Sequence, residues 1–330
     1  NNMAAITAKD VAELRKQTGI GMMECKKALV ETDGDFEAAI KLLREKGELK
    51  AASKIATRIA ADGIVAIMKE GDLTAMIEVN SETDFVAKNE SFQEFVSNLL
   101  KTILATKPEN LEALMASQYV EGGITVEEKV KEEIFKIGEK LSVRRFALVE
   151  GLTATYIHGA GSIGVIVKFD TDCGDKEGFA ESAKNIALQI GAYPTPYLNR
   201  EEVPASVLEE EKNILLAQIA NDPANAKKPD AIKEKMVQGR ISKFYDNNCL
   251  VDMTYVKDED MKVGKYVESV AKELGGNIAI AGFFRFEKGE GIQKREKNFA
   301  EEIAKMTAGK EICLQKNFAL QNSSRDKKLC

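Results

Sequence analysis

The chain has 330 residues, a formal net charge of −6 and a single histidine. This length predicts a sizeable buried core and two or three domains, and the acidic balance argues against a general nucleic-acid binder. The five cysteines are scattered, with no CxxC pair, so they favour a reduced, cytoplasmic compartment over a zinc set or a disulfide framework. No apolar run approaches the length of a membrane span, so no membrane association is expected.

The first 49 residues carry signals for three short helices. Thr7 with Asp10 predicts a helix start, a glycine loop leads into a second helix, and an amphipathic third helix begins near Phe36. We expect a three-helix bundle over residues 1–49 that is similar to a ubiquitin-associated (UBA) domain. Two adjacent methionines cannot both face the core of one helix, so Met22 or Met23 is predicted to be exposed. An exposed methionine suits an adaptable binding surface, and core filling is the alternative.

Residues 50–60 read as an Ala/Lys-rich helical linker. Lys50, Lys54 and Arg58 are interpreted there as a solvated face rather than a site.

The rest of the chain contains two copies of one unit, at residues 61–151 and 152–292. In each copy two strands precede an amphipathic helix, and a further helix and strand close the unit. The pattern predicts an α+β fold in which each unit is a three-stranded antiparallel sheet covered by helices. A helical hairpin is predicted at residues 203–244, inside the second unit, from two apolar stripes: Leu208, Leu215 and Ile219, then Ile232, Met236 and Phe244. A short helix from Phe299 to Met306 and a tail complete residues 293–330.

The connection between the second strand and the first long helix is the most distinctive stretch. A strand ends at Val79, and an amphipathic helix with a capping box at Ser91 and Glu94 follows it. Asp84 and Phe85 therefore lie on a short connection from which both can reach outward. The alternative is that Phe85 tucks under its own helix and Asp84 caps a turn.

The sequence marks no active site. His158 precedes a glycine-rich turn, but this segment joins two strands and does not open a helix that could bind phosphate, so a hairpin turn is the better interpretation. The acidic residues fall mostly on helix faces as solvated surface. We therefore expect no catalytic residues, no metal and no cofactor.

The segment Thr83 to Lys88, Thr-Asp-Phe-Val-Ala-Lys, resembles the signature of the bacterial elongation factor Ts family. The similarity extends over about Ala5 to Met306, and further matching segments are Thr18 to Leu29, Ala61 to Gly63, Lys136 to Glu139, Tyr156 to His158, Ile163 to Val165, Lys235 to Arg240 and Phe284 to Gly291. Ser162 stands where the family usually carries Arg, so this hairpin lacks that charge.

The resemblance implies a guanine nucleotide exchange factor that acts on elongation factor Tu and binds no nucleotide itself. It implies that a wedge made of Thr83, Asp84, Phe85 and Val86 presses into the partner's G domain near its magnesium and switch region. The remaining implied contacts are Ile137 and Gly138 on the same surface, Arg15, Met22 and Met23 on a helix at the far side of the G domain, and His158 on a further domain. Some members form dimers through the second unit, and the sequence leaves a homodimer open.

Two other classes of function stay open on the residues. One is a scaffold that binds elongation factor Tu without exchanging its nucleotide. The other is a hydrolase or transferase, which would need converging acids or a metal that the sequence does not mark.

Overall fold

The structure is a computed structural model that describes residues 6–18, 20–46, 57–225 and 227–292. Helices and antiparallel strands both contribute, as the α+β prediction requires. The helix predicted at Phe299 to Met306 and most of the predicted linker lie outside these residues. Residues 57–60 form a turn, a bend and irregular backbone, so the predicted linker helix does not include them. The division of the chain into domains at residues 49, 60, 151 and 292 stays a prediction.

The N-terminal bundle consists of α1 (Ala8–Thr18), α2 (Met22–Glu31) and α3 (Phe36–Glu45). Thr7 and Asp10 cap α1 reciprocally: the Thr7 N–H donates to Asp10 (2.8 Å) and the Asp10 N–H donates to the Thr7 hydroxyl (3.3 Å). The core of the bundle is small and apolar: Val11, Leu14, Ile20, Cys25, Ala28, Leu29, Ala39 and Leu43. The predicted three-helix bundle is confirmed.

The first sheet has the order β1 (Asp62–Glu70), β2 (Leu73–Ser81), β3 (Ser142–Glu150), and both pairings are antiparallel. Between β2 and β3 the chain forms α4 (Asp84–Ala87), α5 (Glu90–Thr106), α6 (Leu111–Ala116) and α7 (Val126–Ile137). The apolar face of α5 packs on the sheet, and Phe92, Leu99 and Ile103 are fully buried there.

The second sheet repeats this plan. Its order is β4 (Thr153–His158), β5 (Ile163–Thr171), β8 (Ile278–Glu287), again antiparallel, with α8 (Phe179–Ala192) packed against it. Both central strands, β2 and β5, have nine residues. The pairing of β2 with β3 shifts register after Glu78, the sixth residue of β2, and the pairing of β5 with β8 shifts after Lys168, the sixth residue of β5. The shared irregularity supports the predicted internal repeat.

An apolar layer joins the two sheets. It consists of Val65, Met76, Ala147 and Val149 from the first sheet with Ile166 and Phe286 from the second. At Gly164 a Cβ atom would lie 2.5 Å from the side chain of Val65 and 2.8 Å from the sulfur of Met76, so only glycine permits this approach.

A buried carboxylate strengthens the same junction. Glu78 has no exposed surface, and its oxygens accept hydrogen bonds from Arg144 (3.0 Å), Arg145 (2.6 Å), Asn80 (3.0 Å) and the Gly289 N–H (2.8 Å). Because β2 and β3 carry the side chains and the segment after β8 supplies the N–H, Glu78 links both sheets.

The insertion in the second unit forms α9 (Ala205–Asn221) and α10 (Asp230–Asn248), which pack against each other as predicted. On α10 the predicted stripe of Ile232, Met236 and Phe244 was right only at Met236, which packs against the hairpin core. Val237 and Ile241 are the buried residues that meet Leu215 and Ile219, whereas Ile232 is 45 % exposed. The stripe could not be placed without knowing which face of α9 it meets.

After α10 come β6 (Thr254–Tyr255), β7 (Asp258–Lys262) and α11 (Val263–Leu274). Neither the β6–β7 pair nor α6 was predicted, because these elements are short and lack a clear apolar period. Within the described ranges, no helix is both long and apolar enough to cross a membrane.

Candidate functional site: an exposed aromatic on a clamped connection

The connection after β2 displays Phe85 to solvent. Phe85 is 77 % exposed on the single-turn helix α4, whereas its neighbour Val86 is 8 % exposed and belongs to the core of the first unit. Adjacent residues on a helix point in different directions, so burying Val86 turns Phe85 outward. Phe85 thus reaches outward, as one of the two sequence interpretations proposed, and does not tuck under its helix.

The long helix that follows begins differently from the prediction. Asn89, not Ser91, is its N-cap: the Asn89 side chain accepts a hydrogen bond from the Ser91 N–H (2.9 Å), and α5 starts at Glu90. The predicted capping box at Ser91 and Glu94 is therefore wrong. Asparagine is among the strongest N-cap residues, and Asn89 allows α5 to start at Glu90, shortly after α4 ends at Ala87.

Asp84 and Lys88 flank the exposed ring. Their side chains form an ion pair at 2.9 Å, and the Lys88 ammonium lies 5.9 Å from the centroid of Phe85. The hydrogen bond from Lys88 and the charge of Lys88 hold the pKa of Asp84 below its ordinary value. The exposed surface of α4 and the residue after it therefore combines an apolar ring, a carboxylate whose ionised form is favoured, and a cation.

Thr83, at the start of α4, is held by Glu139. The Thr83 N–H donates to Glu139 Oε2 (3.0 Å) and the Thr83 hydroxyl donates to Glu139 Oε1 (2.8 Å). The Ser81 hydroxyl adds a bond to the Thr83 carbonyl oxygen (2.8 Å). Both oxygens of one carboxylate thus fix the residue two positions before Phe85.

A second carboxylate makes the opposite connection. Glu82 Oε1 accepts a hydrogen bond from the Lys140 N–H (2.7 Å) and one from Arg58 (3.2 Å). Arg58 also donates to the carbonyl oxygen of Gly138 (3.4 Å). We call the two pairs Glu139–Thr83 and Glu82–Lys140, together with Arg58, the reciprocal clamp.

The clamp brings two groups of predicted site residues together. Thr83 to Val86 lie on one side, and Ile137 and Gly138 lie on the other, at the end of α7. Gly138 is exposed and ends α7 with φ +77°, a conformation that favours glycine. Ile137 is half-buried against the core of the first unit, so only part of its side chain faces solvent.

The predicted site residues of the bundle lie in a different place. Arg15 is 2 % exposed, and its guanidinium is 3.6 Å from Glu132 on α7. No described residue accepts a hydrogen bond from its nitrogens. Met22 is half-buried and Met23 is 66 % exposed, which confirms that at least one of them faces solvent.

The bundle and α7 enclose a cleft of about 780 Å³, lined by Met22, Met23 and Phe135 among others. Gly21 touches the same surface, because a Cβ there would lie 3.2 Å from the ring of Phe135.

His158 lies apart from both groups, on the β4–β5 hairpin of the second sheet. It is exposed, and its Nδ1 is 2.9 Å from the Tyr156 hydroxyl. The turn after it is a hairpin turn, as predicted, closed by the bond from the Ser162 N–H to the His158 carbonyl (2.9 Å).

Sequence reasoning missed the residues that hold the connection in place. Arg58, interpreted as part of a solvated face, instead binds Glu82 and Gly138. Glu82 and Glu139 had no assigned role, although Glu139 ends the matching segment Lys136 to Glu139. Each pairs with a backbone N–H more than 50 residues away, at separations of 58 and 56 residues, which no local pattern reveals.

The arrangement offers a surface for binding a partner protein. In the described part of the chain, no three or more His, Cys, Asp or Glu side chains are grouped as metal ligands. What the connection offers is an exposed aromatic on a stiff mount, which is the kind of residue that anchors protein interfaces.

Comparison with known proteins gives one consistent result. The profile of the family described as Elongation factor TS matches residues 82–290. The chain is 48 % identical to the elongation factor Ts of Clostridioides difficile, 45 % to that of Syntrophotalea carbinolica and 45 % to that of Clostridium kluyveri. Each of these alignments covers 92 % of this chain and at least 99 % of the relative.

Proposed function

Because the chain belongs to the elongation factor Ts family, we propose that it binds elongation factor Tu and promotes release of GDP, so that GTP can reload. The family places the chain in translation elongation, as a nucleotide exchange factor. The observation that carries the finer proposal is Phe85, an aromatic side chain 77 % exposed on a clamped connection.

In this proposal Thr83, Asp84, Phe85 and Val86 form the wedge that enters the G domain beside its magnesium and switch region. Phe85 supplies the apolar surface that gains most from leaving water, and Val86 anchors the wedge to the core. Because the mount is held by hydrogen bonds before binding, little conformational freedom is lost when the complex forms. Displaced magnesium and phosphate contacts then weaken the hold on GDP.

Thermodynamic linkage constrains this mechanism. To expel GDP, the protein must bind nucleotide-free partner more tightly than GDP-bound partner, and GDP must weaken the protein's binding by the same factor. In this proposal the difference in affinity comes from the wedge contact, which forms fully only when the nucleotide site is open.

The other contacts follow from placement. Gly138 and the exposed part of Ile137 adjoin the wedge through the clamp and would touch the same G-domain surface. Met22 and Met23 line the cleft beside α7, where a partner helix could lie, whereas Arg15 becomes accessible only if the bundle moves away from Glu132. His158 would contact a further domain.

The proposal includes no covalent chemistry, no cofactor and no direct nucleotide binding by this chain. It places the protein in the cytoplasm, where its partner functions, and leaves self-association to measurement.

The test is stopped-flow release of a fluorescent GDP analogue from elongation factor Tu. Wild type is expected to accelerate release, and Phe85→Ala is expected to lower the acceleration roughly 30-fold, as for a central aromatic anchor. Phe284→Ala is the matched control, because Phe284 is another exposed phenylalanine, 46 % accessible, on β8. It is expected to retain the wild-type rate.

Circular dichroism must show that both variants are folded. If wild type leaves the release rate unchanged while still binding the partner, the scaffold function replaces the proposal. If both variants match wild type, exchange stands but the wedge is misplaced.

A further inference from the structure

We propose that Glu139 is a positioning residue for exchange: through Thr83 and with Glu82 it sets the orientation in which Phe85 meets the partner. The inference rests on the proposed function and adds to it a group that does not itself touch the partner's nucleotide site. It starts from the reciprocal clamp, in which two carboxylates from distant segments each accept a backbone N–H of the other segment.

Thr83 occupies the N-cap position of α4 but uses its hydroxyl elsewhere. An N-cap threonine ordinarily accepts a hydrogen bond from its own helix. Here the hydroxyl donates to Glu139 Oε1 and accepts no bond from the described backbone of α4. A tertiary contact with Glu139, just after α7, takes the place of the local cap.

The replacement of the local cap matters because α4 is too short to fix its own orientation. It has four residues, and a single helical turn is not stable alone in water. Its direction must come from tertiary contacts, which are the burial of Val86 on one side and the clamp on the other. Hydrogen bonds to a carboxylate are shorter and stronger than neutral ones, so the clamp is a stiff restraint.

The clamp also unites two surfaces. Glu82 holds the Lys140 N–H, and Arg58 joins Glu82 to the Gly138 carbonyl oxygen. The wedge and the exposed end of α7 therefore present themselves to a partner as one rigid body. Without Glu139 the two could still touch the partner, but only the contacts of Glu82 and Arg58 would hold them in relation to each other.

A loss of orientation has a specific kinetic signature. Loose positioning reduces the fraction of encounters in which Phe85 reaches its place in the transition state, and such misplacement can cost up to about a hundredfold in rate. Glu139→Ala is therefore expected to lower the maximal rate of GDP release at saturating factor by roughly tenfold. The factor concentration giving half the maximal rate is expected to change less, since the other contacts remain.

Three further variants separate positioning from general damage. Thr83→Val removes the hydroxyl at similar volume and is expected to lower the maximal rate, whereas the conservative Thr83→Ser keeps the hydroxyl and is expected to lose less of that rate. The double variant Glu139→Ala/Thr83→Val is expected to be no slower than Glu139→Ala, because both changes break the same contact. Glu121→Ala removes an exposed carboxylate from the loop before α7 and is expected to behave as wild type.

A second readout does not depend on nucleotide exchange, because it follows an amide proton of this chain alone. The Thr83 amide proton, held by Glu139 in wild type, is expected to exchange faster with solvent in Glu139→Ala, measured by NMR on the full chain without partner. The inference is supported if Glu139→Ala shows both faster hydrogen exchange of the Thr83 amide and a reduced maximal rate of GDP release. Faster amide exchange with an unchanged rate of GDP release overturns it, and so does a Thr83→Ser variant that is as slow as Thr83→Val.

Failure of the proposed function looks different. In that case wild type itself does not accelerate GDP release, while the Thr83 amide still responds to Glu139→Ala.

Discussion

The two strand-to-helix connections of this protein occupy equivalent places in its repeated units and differ in what they expose. After β2 the chain displays Phe85 and buries Val86. After β5 the corresponding connection, residues 172–178, buries Cys173 and exposes only charged residues and glycine, and it leads into Phe179, the first residue of α8, which is 4 % exposed. Phe179 packs edge-on against Phe169, with ring centroids 5.5 Å apart.

The second connection is also closed onto its own unit. Asp172 accepts a hydrogen bond from the Asn277 N–H (2.7 Å), and the Lys176 ammonium donates to the carbonyl oxygens of Leu274 (2.7 Å) and Gly275 (3.1 Å) at the end of α11. The first connection is clamped as well, but its clamp leaves Asp84 and Phe85 of α4 exposed to solvent. The shared architecture therefore does not create the candidate site. The sequence between strand and helix does.

The sharpest test of this contrast compares two phenylalanines. Phe179→Ala is expected to lower the free energy of unfolding by about 4 kcal/mol, because it leaves a cavity in the core of the second unit. Phe85→Ala is expected to change it by no more than about 0.5 kcal/mol, since an exposed ring has little packing to lose. Urea denaturation followed by circular dichroism measures both, and similar losses for the two variants would remove the distinction.

Glu78 marks another difference between the units, because the equivalent sixth residue of β5 is Lys168. Glu78→Ala is expected to destabilise the protein by about 3 kcal/mol, since it leaves Arg144 and Arg145 without their shared partner. Both arginines keep some contact with water, which holds the loss at the lower end of the usual range. Lys168→Ala is the matched control and is expected to cost far less in the same denaturation experiment.

Acid should reveal the Glu78 contribution separately. Burial alone would raise the pKa of Glu78, but hydrogen bonds from Gly289, Asn80 and Arg144 and the charge of Arg145 outweigh it, so its pKa in the folded protein lies below the ordinary value of 4.5. The stabilisation is present above pH 4.5 and is lost as the pH falls through the folded-state pKa. The stability gap between wild type and Glu78→Gln is therefore expected to narrow on acidification. A gap that stays constant from pH 7 to pH 3 would contradict this assignment.

The smallest expected effect belongs to the closure of the second connection. Lys176→Met removes a cation from the carbonyl end of α11 and is expected to cost about 0.5 kcal/mol, the usual value for an exposed charge at a helix end. Lys184→Met, on the helix α8 and outside this contact, serves as its control. Thermal melts at low and high salt should show the Lys176 effect shrinking as salt rises, because screening weakens it.

Sequence patterns predicted the repeated sheets because these depend on local periodicity, and they gave an outward-facing Phe85 as one of two interpretations. The apolar spacing of Phe92 to Ile103 fixes one helix face, and a short connection before it leaves few ways to arrange Phe85. The clamp depends instead on side chains that meet backbone groups 56 and 58 residues away. At Lys140 the partner is a backbone N–H, which every residue but proline carries, and at Thr83 it is an N–H together with a hydroxyl. Both groups are too common in sequences to indicate the contact.

The buried position of Arg15 could not be predicted for a related reason. Its environment is set by how the bundle rests on α7, and no periodicity within α1 encodes that placement. Likewise, Val237 and Ile241 rather than Ile232 face α9, because the register between two amphipathic helices depends on both of them.

The apolar layer between the sheets has a consequence for how the chain can be divided. A polypeptide cut between Gly151 and Leu152 would leave Val65 and Met76 uncovered on one fragment and Ile166 and Phe286 uncovered on the other. Neither fragment could hide that surface except against its counterpart or by aggregating. Co-produced in one cell, the two pieces should therefore find each other and rebuild the junction, which makes Gly151–Leu152 a natural point at which to split this protein into a complementing reporter pair.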